Sequence, residues 1–114
     1  MLRYLTLVNF RPQGIAQIGE SPHRATAFHN SIEEAGGRVL GIYWTVGEFD
    51  GAVLFEVPDE ETATALLLDL GRKSFVRTRT LRAWDAAEFE GILSRKCLAP
   101  FTGRLAAPRR KPNP

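Results

Sequence analysis

Two apolar runs with almost nothing between them constrain this chain most. RVLGIYWTV occupies 38–46 and FDGAVLFEV occupies 49–57, leaving only Gly47 and Glu48 to join them. Both runs are rich in β-branched and aromatic residues, the composition of strands. So short a connection makes the two strands antiparallel neighbours, since a parallel pair needs a crossover of a dozen residues or more. The rest of the chain must then pack on an antiparallel sheet. The triplet Glu48-Phe49-Asp50 at this junction lies between Gly47 and Gly51. It reads first as turn chemistry, with glycine supplying positive φ and Asp50 accepting backbone N–H groups. Its second reading makes Asp50 a general base or ligand anchor at a pocket mouth.

The flanking sequence completes the pattern. Residues 2–9 alternate as a first strand. Pro12, Gly14, Gly19 and Pro22 break the next stretch, with one short helical turn around Ile15 and Ile18. Ser21-Pro22 opens a longer helix, the hydroxyl capping free N–H groups and proline suiting the first helical position. Ala25, Phe28, Ile32 and Ala35 share one face of it, and Gly36-Gly37 end it. Pro58 closes the third strand. Asp59 caps a second helix with Glu60 and Glu61 in its first turn, Ala63, Leu66, Leu67 and Leu70 on its buried face, and Gly71 at its end. A fourth strand covers 74–84, and Asp85 with Glu88 forms a capping box ahead of a last helix.

This order predicts an α+β, ferredoxin-like βαββαβ sandwich: a four-stranded antiparallel sheet with two helices on one face, plus an extra C-terminal helix. Strand two should present Val39 and Tyr43 on one face and Leu40, Ile42 and Trp44 on the other. In strand one, Leu5 and Leu7 oppose Tyr4 and Val8. Both faces are therefore apolar, whereas a solvated face alternates with polar residues. A sheet-to-sheet homo-oligomer, a homodimer or higher, covers the second face; some of its residues could instead line a cavity between sheets.

The 114 residues suit one domain, 1–98, followed by a basic, Pro-rich tail, 99–114. The net charge of +2 is unevenly placed: residues 1–98 hold eleven basic and thirteen acidic side chains, and Arg104, Arg109, Arg110 and Lys111 lie in the tail. A nucleic-acid-binding domain carries its basic patch on the fold itself, so no nucleic-acid partner is expected. No run approaches the ~20 apolar residues of a membrane span, and the alternating N-terminus reads as a strand and not a signal peptide. Cys97 is the only cysteine, which excludes an intrachain disulfide and fits a cytoplasmic location. His23 and His29, six apart, sit about 240° around the helix and form no metal pair. No metal and no cofactor are expected.

The stretch GIYWTVGEFDGAVLFEVPDEE at 41–61, with QGIAQIGESPHR before it and FVRTRTLRAW after it, resembles the GYD-domain family from about Leu2 to Leu93. The resemblance implies a small ferredoxin-like protein related to the dimeric α/β-barrel proteins. The Gly-x-Tyr-Asp turn that names the family reads Gly47-Glu48-Phe49-Asp50 here, so the phenol hydroxyl is missing. Gly19 stands where a lysine often precedes the acid-Ser-Pro element.

Candidate ligand-binding residues are Tyr4, Thr6, Tyr43 and Trp44, which either line a cavity or pack in the core or an interface. Asp50 joins them, as do Arg77 and Arg79, which share a strand face. That arginine pair either clamps an anion or forms a solvent face balanced by acids such as Glu56. The expected function is a non-enzymatic, small-ligand-binding or regulatory homo-oligomer, because no titratable group stands in an evident catalytic pairing. The alternative is a cofactor-independent oxygenase or isomerase of the dimeric α/β-barrel type.

Overall fold

Four strands pair antiparallel throughout, in the order β2-β3-β1-β4, in a computed structural model that describes residues 1–95. Cys97 and the tail expected from Ala99 lie outside the described residues. The elements of the first unit, Met1–Ala83, are β1 (Leu2–Phe10), α1 (Pro12–Ala16), α2 (Ser21–Glu34), β2 (Arg38–Trp44), β3 (Gly51–Val57), α3 (Glu60–Arg72) and β4 (Val76–Ala83). The strand order and pairing are those of the ferredoxin-like βαββαβ fold. A second unit begins at Trp84 and contains α4 (Ala86–Leu93). Its capping box is complete: Asp85 Oδ1 accepts the Glu88 N–H at 2.8 Å, and Glu88 Oε1 accepts the Asp85 N–H at 2.8 Å.

Both long helices of the first unit lie on one face of the sheet. Phe28 and Ile32 from α2 and Ala63 from α3 meet Val53, Phe55 and Val57 of β3 in a single core. Phe55 is its centre, fully buried, with Tyr4 stacked on it at 5.9 Å and Phe28 edge-on at 6.1 Å. Burying a side chain of this size contributes roughly 1.5–3 kcal/mol. The helix ends largely follow local chemistry. Gly36 takes φ +88° after α2, and the Gly37 N–H reaches back to the Ile32 carbonyl at 2.9 Å. Asp59 Oδ1 caps α3 by accepting the Thr62 N–H at 2.8 Å. Gly71, expected to end α3, lies inside it; the left-handed residue is Ser74, φ +68°, and β4 accordingly starts at Val76.

The two faces of β2 differ from the expected assignment. A register irregularity between Val39 and Gly41 sets the alternation back by one residue. Val39 and Ile42 therefore pack against the helix-side core, and Trp44 reaches α2. Tyr43 is left on the open face, 61% exposed, with its ring across Gly41. The middle of that open face is apolar, with Leu5, Leu7, Ala52 and Leu54 half-buried. One end carries Glu56, which is only 6% exposed because two arginines close over it. Arg3 Nη2 donates to its Oε2 at 2.7 Å and Arg38 Nη2 to its Oε1 at 2.9 Å. Glu56 therefore balances Arg3 and Arg38, while Arg77 and Arg79, exposed towards the other end, make no ion pair among the described residues.

Candidate functional site: a cavity between the helices and the sheet

The β2–β3 ladder ends at the pair Trp44–Gly51, short of the expected turn. The Thr45 N–H still reaches the Asp50 carbonyl at 2.9 Å, so the loop proper is Val46 to Phe49, four residues instead of two. Gly47 adopts φ +137°, where a Cβ is strained, as its place in the turn predicted. Thr45 Oγ1 donates to the Phe49 carbonyl at 2.6 Å, and Asn9 Nδ2 holds the Glu48 carbonyl at 2.9 Å. The loop is thereby tied to β1.

Asp50 extends that tie. Its N–H donates to the Val8 carbonyl at 2.8 Å, and its Oδ2 accepts the Phe10 N–H at 2.9 Å. The carboxylate takes the place of the next strand carbonyl where β3 leaves the ladder. Among the described residues, its other oxygen accepts no hydrogen bond. The geometry therefore gives Asp50 its turn role and leaves one oxygen uncommitted.

Beside it, a half-open cavity of about 160 Å³ lies between α2, α3 and this end of the sheet. Its walls are mostly apolar: Val8, Phe10, Phe28, Ile42, Val53 and Leu70 contribute to them. Trp44 closes one side. Its indole N–H donates to Ser21 Oγ at 3.0 Å, pinning the ring to the start of α2. Ser21 was expected to cap α2, but it lies within the helix, whose N-cap is Glu20 with no side-chain bond.

Four charged residues also line the cavity: Arg24, Asp50, Asp69 and Lys73. Asp69 is paired with Arg72 at 2.8 Å and Lys73 at 3.2 Å, contacts that hold its carboxyl below the ordinary value. The Arg24 guanidinium lies 4.2 Å from the centre of the Phe75 ring and donates to the Gln17 carbonyl at 3.2 Å. The histidines stay outside this constellation, His23 3.2 Å from Glu20 and His29 3.0 Å from Glu33 on the exposed side of α2.

The GYD-domain model matches residues 4–93 of the sequence. The chain belongs to the GYD-domain family. No curated protein matches it. Among solved structures, it is similar to the crystal structure of a protein from Thermus thermophilus, at 24% identity and a TM-score of 0.48, covering 75% of this chain and 96% of that one.

In this GYD protein the last residue of the turn that names the family, Asp50, thus forms part of a cavity wall. Of the residues singled out from the sequence, Trp44 and Asp50 line the cavity, and Tyr43 borders it from β2 although its ring lies across Gly41 on the open face. Tyr4 and Thr6 do not. Tyr4 packs on Phe55, and the fully buried Thr6 shares a 2.8 Å hydrogen bond with Thr80. Arg77 and Arg79 point from the opposite face of the sheet. Sequence reasoning missed Arg24 and Phe75. Arg24 directly precedes Ala25 on the recognised helix face, but its contact with Phe75 joins residues 51 positions apart and left no local signal.

Proposed function

We propose that this GYD protein is a cytoplasmic, non-enzymatic homo-oligomer that binds a small, largely apolar molecule in the cavity between α2, α3 and the sheet. The observation that carries the reading is the cavity itself, about 160 Å³ of mostly apolar space with a few polar groups on its wall. That combination is the usual form of a small-molecule site. Binding is favoured over turnover because the nearby polar groups already have structural duties: Ser21 Oγ accepts the Trp44 indole and Asp50 Oδ2 the Phe10 N–H. Native mass spectrometry and ligand-observed NMR with a library of small aromatic compounds test it. Hits should compete with one another and disappear in Ala25→Leu, which fills the cavity from α2. Hits that persist in that variant place binding elsewhere and overturn the reading.

Self-association rests on the open face of the sheet, where Leu5, Leu7, Ala52 and Leu54 are flanked by Leu40 and Leu81, the last two 38% and 51% exposed. Covering such a patch with a second copy is the simplest way to remove it from water. Sedimentation of wild type against Leu54→Glu tests this: wild type should sediment as a dimer or larger and the variant as a smaller species.

Asp50 favours a second reading, a cofactor-independent isomerase or oxygenase. A carboxylate fixed through one oxygen, with the other uncommitted beside an apolar cavity, is an arrangement suited to a general base. Asp50→Asn should then abolish turnover of a bound compound while leaving its affinity nearly unchanged. Equal turnover in the two proteins removes the second reading.

A further inference from the structure

We infer that the cavity takes a small aryl or alkyl monocarboxylate whose carboxylate is received by Arg24; this rests on the ligand-binding reading above. The charges on the wall are unequally satisfied. Lys73 and Asp69 pair with each other, and Asp69 also takes Arg72. Asp50 accepts a backbone N–H. Arg24 has a ring beneath it and one carbonyl to donate to, and among the described residues it forms no ion pair. A guanidinium carries five N–H donors, and one bond to Gln17 leaves most of them for a ligand. Contact with the Phe75 ring, 4.2 Å from the guanidinium carbon to the ring centre, and the bond to Gln17 restrain the side chain, so less rotamer freedom remains to be lost when a carboxylate docks on it. A planar, half-buried, pre-oriented guanidinium beside an apolar cavity matches a carboxylate better than a neutral head group.

The cavity volume sets the size of the body. About 160 Å³ is close to the engineered apolar cavities of roughly 150 Å³ that admit benzene. A phenyl ring or a short alkyl chain fits inside, whereas a steroid or a long acyl chain projects through the open side. Asp50 sets the charge count. Its carboxylate belongs to the same wall, so a second negative charge on the ligand is repelled.

The test compares three probes of one body by isothermal titration calorimetry on the full chain at neutral pH: phenylacetate, 2-phenylethanol and phenylmalonate. Phenylacetate should bind at least ~tenfold more tightly than the alcohol, the scale of a charge-assisted hydrogen bond, and more tightly than the dianion. Arg24→Met keeps an apolar stem over Phe75 and should bring phenylacetate to the level of the alcohol, with alcohol binding unchanged. Arg24→Lys, with charge but no fork, should fall between them. Equal affinity of acid and alcohol for the wild type overturns the assignment to Arg24 and leaves the ligand-binding reading standing. An acid preference that survives in Arg24→Met, confirmed folded by circular dichroism, does the same. If none of the three probes binds at millimolar concentration, or if Ala25→Leu binds them as well as wild type does, the cavity reading falls and this inference with it.

Discussion

The two faces of the sheet are built from the same four strands, yet they solve different problems. On β3, Phe55 points to the helices and is fully buried, while its neighbours Leu54 and Glu56 point the other way. The helix side closes around aromatic and aliphatic groups, with the cavity at its hairpin end. The open side keeps leucines half-covered in the middle and charges towards both ends. Period-two alternation makes one face a core, but it does not make the other a solvated surface.

The largest expected effect sets the faces against each other on one strand. Phe55→Ala should cost about 3–5 kcal/mol, through lost burial and the cavity left behind. Leu54→Ala, half-exposed in a single chain, should cost only about 1 kcal/mol at high dilution. Urea denaturation over a range of protein concentrations measures both. If the cost of Leu54→Ala grows with concentration, a second copy covers the open face; if it stays small throughout, that face is solvated and the oligomer fails.

Glu56 supplies the next effect. Burial pushes its carboxyl up, but hydrogen bonds from Arg38 and Arg3, together with their charges, outweigh that and hold it below the ordinary 4.5. As pH falls the unfolded chain takes up this proton first, so folding stability is lost. The contribution is complete above about pH 4.5 and disappears as pH drops through the lower folded value. Asp59 and Asp69 are also lowered, by Thr62 and by Lys73 with Arg72 respectively, and add acid limbs of the same sign. Glu56→Gln should therefore cost about 1–3 kcal/mol at neutral pH and make the acid limb shallower without removing it. An unchanged acid limb would mean that the open-face ion pairs add nothing to the fold.

How much of this was legible in the sequence depended on range. The capping of α3 by Asp59, the box at Asp85 and Glu88, and the stop at Gly36 are encoded within a few residues and appeared where local chemistry placed them. The strand order followed from the succession of elements. The β2 faces were misassigned because the register irregularity after Val39 depends on the partner strand. The loop grew to four residues because Asp50 serves β1, which pairs with β3 from the other side. Of the cavity, its Trp44 and Asp50 wall was within reach because those residues lie close together at one turn. The Arg24–Phe75 contact was out of reach because α2 and the residue preceding β4 meet only in the folded chain.

The smallest effect probes a polar contact between β1 and β4 on the core face. Thr6 and Thr80 face each other across β1 and β4, and their hydroxyls lie 2.8 Å apart. Thr6 is fully buried and Thr80 half-buried, so the Thr6 hydroxyl depends on Thr80 for its hydrogen bond. Thr6→Val should cost about 1 kcal/mol, because it strands the Thr80 hydroxyl beside an apolar group of the same shape. Replacing both with valine removes the donor and the acceptor together, and should cost less than either single change or slightly stabilise the protein. The cycle of wild type, two single variants and the double variant isolates the coupling, provided all four share one denaturant slope. A near-zero coupling would mean that water reaches Thr80 and that the helix face is wetter at β4 than its buried neighbours on β3 imply. A coupling that disfavours the double variant most would show the hydroxyl pair holding the register of β4 against β1, which makes even the closed face of this sheet depend on a polar contact.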